Sequence, residues 1–462
     1  MKKSIKLALS ASLLLGATSV LATNGDHMMA LGAKSSGMGG VGIATAFGAE
    51  SSLANPALIK GNEVSFGGTY FMPDVSFHGK TNSPTDPAKS QASDADKSMI
   101  PSVGFVHNVN KNFTWGLGMY GTAGMGVDYR DDIAMYADNN MSTGFDLMGT
   151  TNGTNQLSTA LQIMKFTLPM AYRPMDNLSL GFAPVIQYGS LGMSYNNGAF
   201  SRSSDGAGGY IYNNVRTGAG VSDDLGFGFE LGLAYELSGL TIGAVYKSAI
   251  SMTYDNQISE ATANFGLTGY GDDLEQPSEI GLGLSYTMGS NTLAVDYKKI
   301  AWSSAAGYED FRWEDQNVMA IGYEYKAKSW AIRLGYNYAN NPIEEQNGAA
   351  ATPTTMTSKG PANYEGAVLN YFNLAGFPAV IEQHYTIGGT FNLSDTASID
   401  LAYVFSPEVS QSFDTSAMTQ GQMLATGNYN PTIPTDPVYQ TTSTANVKHS
   451  QSAFTVAANI AF

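Results

Sequence analysis

From about Asn62 to the C-terminus, apolar and polar residues alternate with a period of two in segments roughly a dozen residues long, the pattern of strands with one face in each of two environments. Val64, Phe66, Gly68 and Tyr70 share one face of the first segment. Phe113, Trp115, Leu117 and Met119 share one face of the third, and Met164, Phe166, Leu168, Met170 and Tyr172 one face of the fourth. The series continues through Phe227 to Tyr235, Ile242 to Tyr246, Ile280 to Tyr286, Leu293 to Tyr297, Met319 to Tyr325, Trp330 to Tyr338, Tyr385 to Leu393 and Ile399 to Phe405. It closes with Phe454, Val456, Ala458, Ile460 and Phe462. With less regular segments near 98–109 and 177–189 there are about fourteen strands, and an even number lets an up-and-down antiparallel sheet close with both ends on one side.

The alternate positions carry Lys165, Glu230, Glu236, Lys247, Glu279, Asp296, Lys298, Glu324, Arg333 and Asp400. A soluble sandwich with its apolar face inward would alternate in the same way, so periodicity does not choose between the two. Connection lengths do. Short turns at 108–112, 174–177, 237–239, 288–291, 326–329 and 393–396 take turns with long connections near 74–97, 123–162, 190–221, 252–275, 300–314, 341–380 and 410–443. Short periplasmic turns alternating with long outer loops predict an all-β transmembrane barrel, with charges facing the lumen and a girdle of aromatic residues at the strand ends.

Ahead of the strands, Lys2, Lys3 and Lys6 precede an apolar run from Leu7 to Leu21, which predicts a secretory signal over 1–22 cleaved after Ala22. Residues 32–57 lack alternation, are rich in Gly, Ala and Ser, and end in Asn55-Pro56-Ala57. A fourteen-stranded barrel is wide enough to leave a channel. The expected organisation is therefore a hatch over 23–61 inside a barrel over 62–462. The terminal aromatic Phe462 resembles the signal read by the outer-membrane barrel assembly machinery.

Composition narrows the chemistry. There is no Cys, which excludes disulfides, thiolate metal sites and a Cys nucleophile. A formal net charge of -16 argues against nucleic acid as a partner. Gly37-Met38-Gly39-Gly40-Val41-Gly42 and Gly116-Leu117-Gly118-Met119-Tyr120-Gly121 both fit G-x-G-x-x-G, but neither lies between a strand and a helix, so they read as tight turns and close packing. His27, His78, His107, His384 and His449 have no metal-ligand spacing, and no catalytic triad can be placed. Asp131-Asp132, Asp223-Asp224 and Asp272-Asp273 read as solvated loop charge. No enzyme activity, cofactor or metal is expected.

Several stretches together resemble the FadL/TodX family of outer-membrane transporters for long-chain fatty acids and hydrophobic hydrocarbons. They are Asn55-Pro56-Ala57, the Gly-punctuated run Trp115 to Gly126, Arg173-Pro174-Met175-Asp176-Asn177-Leu178-Ser179, Trp302, Arg333 to Tyr338 with Asn341-Pro342-Ile343, and His384 to Gly389. The resemblance implies a monomeric fourteen-stranded barrel closed by an N-terminal hatch. It also implies passive transport, with substrate leaving sideways into outer-membrane lipid at a kink in the third strand. The expected hatch and gate residues are Gly37, Gly39, Gly40, Gly42, Asn55, Pro56, Ala57, Gly116, Gly118 and Gly121, with Asn55-Pro56-Ala57 placed near the third-strand gap. Substrate is expected to meet Phe47 and the loop residues Leu157, Leu161, Ile163, Leu191 and Met193, then a lumenal cation among Lys165, Lys247, Lys298 and Arg333 if it is a carboxylate. The rival readings are a diffusion porin or adhesin, and an outer-membrane hydrolase using His384 or His449.

Overall fold

The structure, a computed structural model, describes residues 23–81, 90–130, 157–195, 200–204, 210–214, 217–425 and 430–462. The expected signal over 1–22 and Asp131-Asp132 lie outside the described residues. Fourteen antiparallel strands form one closed sheet, and the last pairs with the first along its whole length, from Ser443 opposite Thr81 to Ala461 opposite Glu63. The strands are β1 (Glu63–Thr81), β2 (Ser98–Asn108), β3 (Phe113–Asp128), β4 (Ser158–Thr167, resuming as Met170–Met175), β5 (Leu178–Tyr195), β6 (Thr217–Leu237) and β7 (Leu240–Lys247). They continue as β8 (Glu279–Met288), β9 (Asn291–Ile300), β10 (Gln316–Lys326), β11 (Trp330–Ala339), β12 (Gln383–Asn392), β13 (Ala397–Asp414) and β14 (Ser443–Ala461).

The side-chain alternation sorts as the period-two pattern requires. Along β8, Ile280, Leu282, Leu284 and Tyr286 are all at least half exposed on the outside, where the bilayer lies, while Glu279 and Ser285 on the other face are buried. Of the ten charges assigned to the inner face, Glu236 is exposed at the periplasmic end of β6, and the others are buried or half-buried. All six short turns fall where the sequence puts them, between β2–β3, β4–β5, β6–β7, β8–β9, β10–β11 and β12–β13.

The long connections differ from expectation. β1, β3, β5, β6 and β13 run well past the predicted strand ends, so Leu161, Ile163, Leu191 and Met193 belong to β4 and β5 and are not loop residues. Backbone pairing between neighbours needs no apolar outer face, so strands run on past their alternating segments. Among the described residues three α-helices also sit in the outer connections: α1 (Ile258–Asn264), α2 (Tyr364–Ala375) and α3 (Ser416–Ala425). α2 has consecutive buried residues from Ala367 to Ala375, so it fills the barrel mouth instead of lying on a surface. The start of α1 is capped by Asp272, whose carboxylate accepts from the N–H groups of Ile258 (3.0 Å) and Ser259 (2.9 Å). Partial burial alone would raise the pKa of this carboxyl, but those donors with Asn256 N–H and the Ser259 hydroxyl hold it below its ordinary value.

Depth in the bilayer sets a measurable cost. Leu282→Arg, at mid-strand on the lipid face, is expected to destabilise the barrel by about 2–4 kcal/mol, and Leu237→Arg at the periplasmic turn by about 0–1 kcal/mol. Denaturant titration of both variants refolded in lipid vesicles checks the difference.

Candidate functional site

Residues 23–61 lie against the inner wall. They hold only short pieces of regular structure, and the wall meets them with inward-facing glycines. Gly181 on β5, Gly232 on β6, Gly243 on β7, Gly322 on β10, Gly335 on β11 and Gly388 on β12 each leave room for hatch backbone. At Gly232 an added Cβ would fall on the Asn55 side chain and 2.9 Å from the Ala57 nitrogen, and at Gly335 on the Gly39 nitrogen. Here a strand glycine marks close approach of a second backbone.

The approach is fixed by hydrogen bonds that the wall makes to hatch backbone. Asp296 Oδ2 accepts from Gly42 N (2.7 Å) and Ile43 N (2.8 Å). Gly39 N donates to Thr386 Oγ1 (2.9 Å), and Asn337 Nδ2 donates to Gly39 O (3.1 Å). Asn55 Nδ2 donates both to Ile43 O within the hatch (2.7 Å) and to Leu233 O of β6 (3.1 Å), while its Oδ1 accepts from Ala57 N (3.0 Å). Asn55-Pro56-Ala57 thus seats on β5 and β6 and not beside the third strand. The reason is that the side-chain-free patch made by Gly181 and Gly232 lies there.

Above the hatch, the outer half of the lumen is filled by one continuous apolar mass. It contains Phe77, Tyr129, Leu157, Leu161, Ile163, Leu191, Met193, Phe265, Phe311, Trp313, Phe372 and Phe377. The five apolar positions expected in the outer loops, Leu157 just ahead of β4 and the other four on β4 and β5, are therefore brought together. Phe47 is not among them, since it packs with Met38, Val41, Ala294 and Ala320 where the hatch meets β9 and β10.

Between the apolar mass and the hatch lies a cavity of about 60 Å3, lined by charges and by Met29, Ile43, Leu53, Thr122 and Val245. Lys165, Lys247 and Lys298 face Glu230 and Glu279 across it. Lys247 Nζ meets Glu279 Oε2 at 3.4 Å, whereas among the described residues Lys165 and Lys298 have no ion-pair partner. Three lysines against two carboxylates leave the lining with one excess positive charge when His27 is neutral. Arg333 sits elsewhere. It bonds Glu324 (2.7 Å) and approaches Asp400 (3.6 Å), which also takes Lys34 of the hatch (3.5 Å). Arg333 faces a different wall because β11 and β4 lie apart around the sheet.

The wall itself is interrupted at β3. Its pairing with β2 runs from Asn108 opposite Thr114 only to Ser102 opposite Tyr120. Beyond that, β3 keeps β4 with a register shift between Gly121 and Ala123, but has no β2 partner. The N-terminal segment takes the vacated bonds: His27 pairs with Ala123, and Gly124 N donates to Asp26 O (3.0 Å). Asp94 N closes the seam above by donating to Asp128 O (2.8 Å). Ile100 packs over Gly121, where an added Cβ would fall 2.5 Å from its Cγ2, and it clusters with Met29 and Ala30. Of the other expected gate glycines, Gly116 lies by Pro169 and Gly118 by Tyr120 and Thr167, both below the interruption. Gly37 meets Gly388, Gly40 meets the Met29 carbonyl, and Gly42 meets Ala54.

Sequence reasoning did not single out Asp26, Gln276, Tyr308 or Ile100. Asp26 Oδ2 accepts from Gln276 Nε2 (2.9 Å) and from the Tyr308 hydroxyl, and His27 links Gln276 (2.9 Å) to Glu279 (3.1 Å). These partners lie some 250 residues from the hatch in outer connections without a period, so no local signal marks them. Ile100 sits in an irregular strand. Only its position one residue before Pro101 sets it apart.

Residues 14–358 match the family described as outer membrane protein transport protein (OMPP1/FadL/TodX). Outer membrane protein P1 of Haemophilus influenzae is 22 % identical over 409 residues, 79 % of this chain and 83 % of that protein. A FadL homologue of Pseudomonas aeruginosa superposes with TM-score 0.63 at 16 % identity, over 95 % of this chain and 100 % of that one. The Pseudomonas putida toluene transporter TodX does so with TM-score 0.59 at 17 % identity, over 94 % and 99 %. The Ralstonia pickettii toluene transporter TbuX gives 0.57 at 16 %, over 94 % and 99 %. At such identities the superpositions carry the fold.

If the glycine seat holds the hatch, Gly232→Val and Gly335→Val will each displace it without opening the β-ladder. The expected result is a barrel that keeps its heat-modifiable mobility on a gel but shows a several-fold higher ion conductance in planar bilayers, the site being overpacked against backbone.

Proposed function

Because the chain belongs to the outer membrane protein transport family that includes FadL and TodX, we propose that this outer-membrane channel takes up long-chain fatty acids or hydrophobic hydrocarbons passively and releases them sideways at β3. Residues 1–22 serve as the export signal, residues 23–61 as the hatch, and the chain works as a monomer. Phe462 presents the terminal strand to the barrel assembly machinery.

One observation carries the lateral route: Ala123, Met125 and Val127 are at once part of the apolar mass and on the stretch of β3 that β2 does not pair. The apolar mass therefore borders the interruption in the wall, which the Asp26–His27 segment fills. A substrate entering it gains about 0.8 kcal/mol per buried CH₂, which a water-filled pore would not supply. Crossing straight to the periplasm would mean passing the cavity lined by Lys165, Lys247, Lys298, Glu230 and Glu279, where an alkyl chain would strip solvation from charged groups. Moving between β2 and β3 requires that the Asp26–His27 pairing to β3 be released and Ile100 turn aside, below the bond from Asp94 N to Asp128 O. Lipid lies on the other side.

Leu157, Leu161, Ile163, Leu191 and Met193 supply the apolar contacts. Lys165 shares the inner face of β4 with Leu161 and Ile163, so its ammonium stands where the apolar mass gives way to the cavity. With Lys247 engaged by Glu279, Lys165 is the cation positioned to receive a carboxylate at the tail's inner end. Phe47 and Arg333 contribute through hatch packing and hatch anchoring.

A strain lacking the protein is expected to take up oleate or toluene more slowly than its parent, and uptake of both at the parental rate overturns the proposal. Lys165→Met is expected to lower oleate uptake about tenfold, equivalent to about 1.4 kcal/mol, while leaving toluene uptake unchanged. Labelled-substrate uptake in whole cells measures both.

A further inference from the structure

Four polar side chains form one row across β11 to β14, on the inner face of the wall. Asn337 is directly opposite His384, and Ser406 directly opposite Gln451. The β12–β13 register ends with Tyr385 opposite Phe405, so His384 and Ser406 stand one step further along and complete the row. All four are at most 2 % exposed. Yet Asn337 Oδ1, both ring nitrogens of His384, Ser406 Oγ and Gln451 Oε1 have no hydrogen-bond partner among the described residues. Gln451 stands close enough to the His384 ring to interact with it, but not in the geometry of a hydrogen bond. Buried polar groups are as a rule bonded, and a row of four neighbours that are not calls for an occupant.

The bonds around the row fix which groups are left over. The Pro378 carbonyl can only accept, so the His449 Nδ1 that meets it at 2.9 Å carries the ring proton. His449 Nε2 is then an acceptor, and Gln451 Nε2 donates to it at 3.0 Å, which leaves Oε1 as the unused end of the amide. At the other end of the row Asn337 Nδ2 is spent on Gly39 O (3.1 Å), and again the amide oxygen remains. A register shift between Ser406 and Val409 lies immediately above, an irregularity of the kind that re-aims side chains beside functional sites.

The row separates two apolar regions. On its outer side Val409, opposite His449, packs against the apolar mass. On its inner side Val404 and Ala453, two residues along from Ser406 and Gln451, cluster with Met29 and with Ile100 of the seam. We propose that His384, Ser406, Gln451 and Asn337 form a binding site for the hydroxyl of an apolar molecule, such as an alkylphenol or a long-chain alcohol, whose hydrocarbon part lies in the apolar mass. An uncharged hydroxyl both donates and accepts, so it serves an acceptor such as Gln451 Oε1 and a donor such as the Ser406 hydroxyl at once. A carboxylate has no proton to offer Asn337 Oδ1 or Gln451 Oε1, and a bare hydrocarbon leaves every one of these groups unmet. The row thus selects a third class of substrate beside acids and hydrocarbons. It rests on the uptake reading only in taking the apolar mass as the seat of the tail.

The test is equilibrium dialysis of labelled 4-methylphenol and toluene, which differ by one hydroxyl, against the protein purified from outer membranes in detergent, corrected for protein-free micelles. His384→Phe removes both ring nitrogens and is expected to weaken 4-methylphenol binding about tenfold while toluene stays within about twofold. Ser406→Ala, which disturbs packing least, is expected to shift 4-methylphenol in the same direction by a smaller factor. Folding of both variants is verified by heat-modifiable mobility. Equal losses for the two ligands mark the row as structural and overturn the proposal. Unchanged 4-methylphenol binding in both variants means that the row holds water only, and overturns it too. A native barrel that binds toluene but not 4-methylphenol overturns the hydroxyl site and leaves the uptake reading standing, whereas one that binds neither overturns both.

Discussion

In hydrocarbon every backbone N–H and C=O must find a partner within the protein, and the upper part of β3 does not find one in β2. The pairing of His27 with Ala123, and the bond from Gly124 N to Asp26 O, supply it from inside the barrel. This one substitution of a hatch segment for a wall strand couples the rest. The N-terminal segment must lie in the lumen to reach β3. Wall glycines must make room for the chain that follows it, and Asp26 and His27 must be held by Gln276, Tyr308 and Glu279 so that the bonds point the right way. An interruption that would be a defect in a plain barrel is closed here from inside the lumen.

The buried charges divide into two groups with different work. Arg333, Asp400, Glu324 and Lys34 join the hatch to β10–β13, and Asp400 also accepts from Thr390 and Asn459. Asp400 is shared by Lys34, Arg333, Thr390 and Asn459, which suits a fixed anchor whose register is set by charge more than its stability is raised by it. Around the cavity the pattern is looser, since Lys165 has no ion-pair partner among the described residues and Glu230 Oε2 has no hydrogen bond. The tight group lies across the lumen from β3. In the loose group Lys165 lies beside it, opposite Tyr120 on the neighbouring strand.

What was legible in the sequence is what a period of two encodes. Alternation along Ile280–Tyr286 or Met319–Tyr325 states which side chains face lipid, and turn residues such as Ser238 and Gly239, both at positive φ, state where a strand reverses. The inner face was legible only as polar. Pairing of Lys247 with Glu279, and isolation of Lys165, depend on which strands are neighbours and at what height. The seat of Asn55-Pro56-Ala57 was misplaced because a glycine such as Gly232 looks the same in sequence whether it bends a strand, as at Gly121, or receives another backbone. The outer helices were hidden because α2 has no polar face to give a 3.6-residue rhythm.

The belt of glycines on the inner wall has a consequence for the filling of the lumen. A lumen lined by side chains could shrink around a missing core, but a wall with bare backbone at Gly181, Gly232, Gly243, Gly322, Gly335 and Gly388 has nothing with which to fill the hole. Removal of the segment seated on these glycines would leave an unfilled space in the inner half of the lumen, beneath the apolar mass. The residues from Gly37 to Ala57 that sit on those glycines are thus packed as part of the wall.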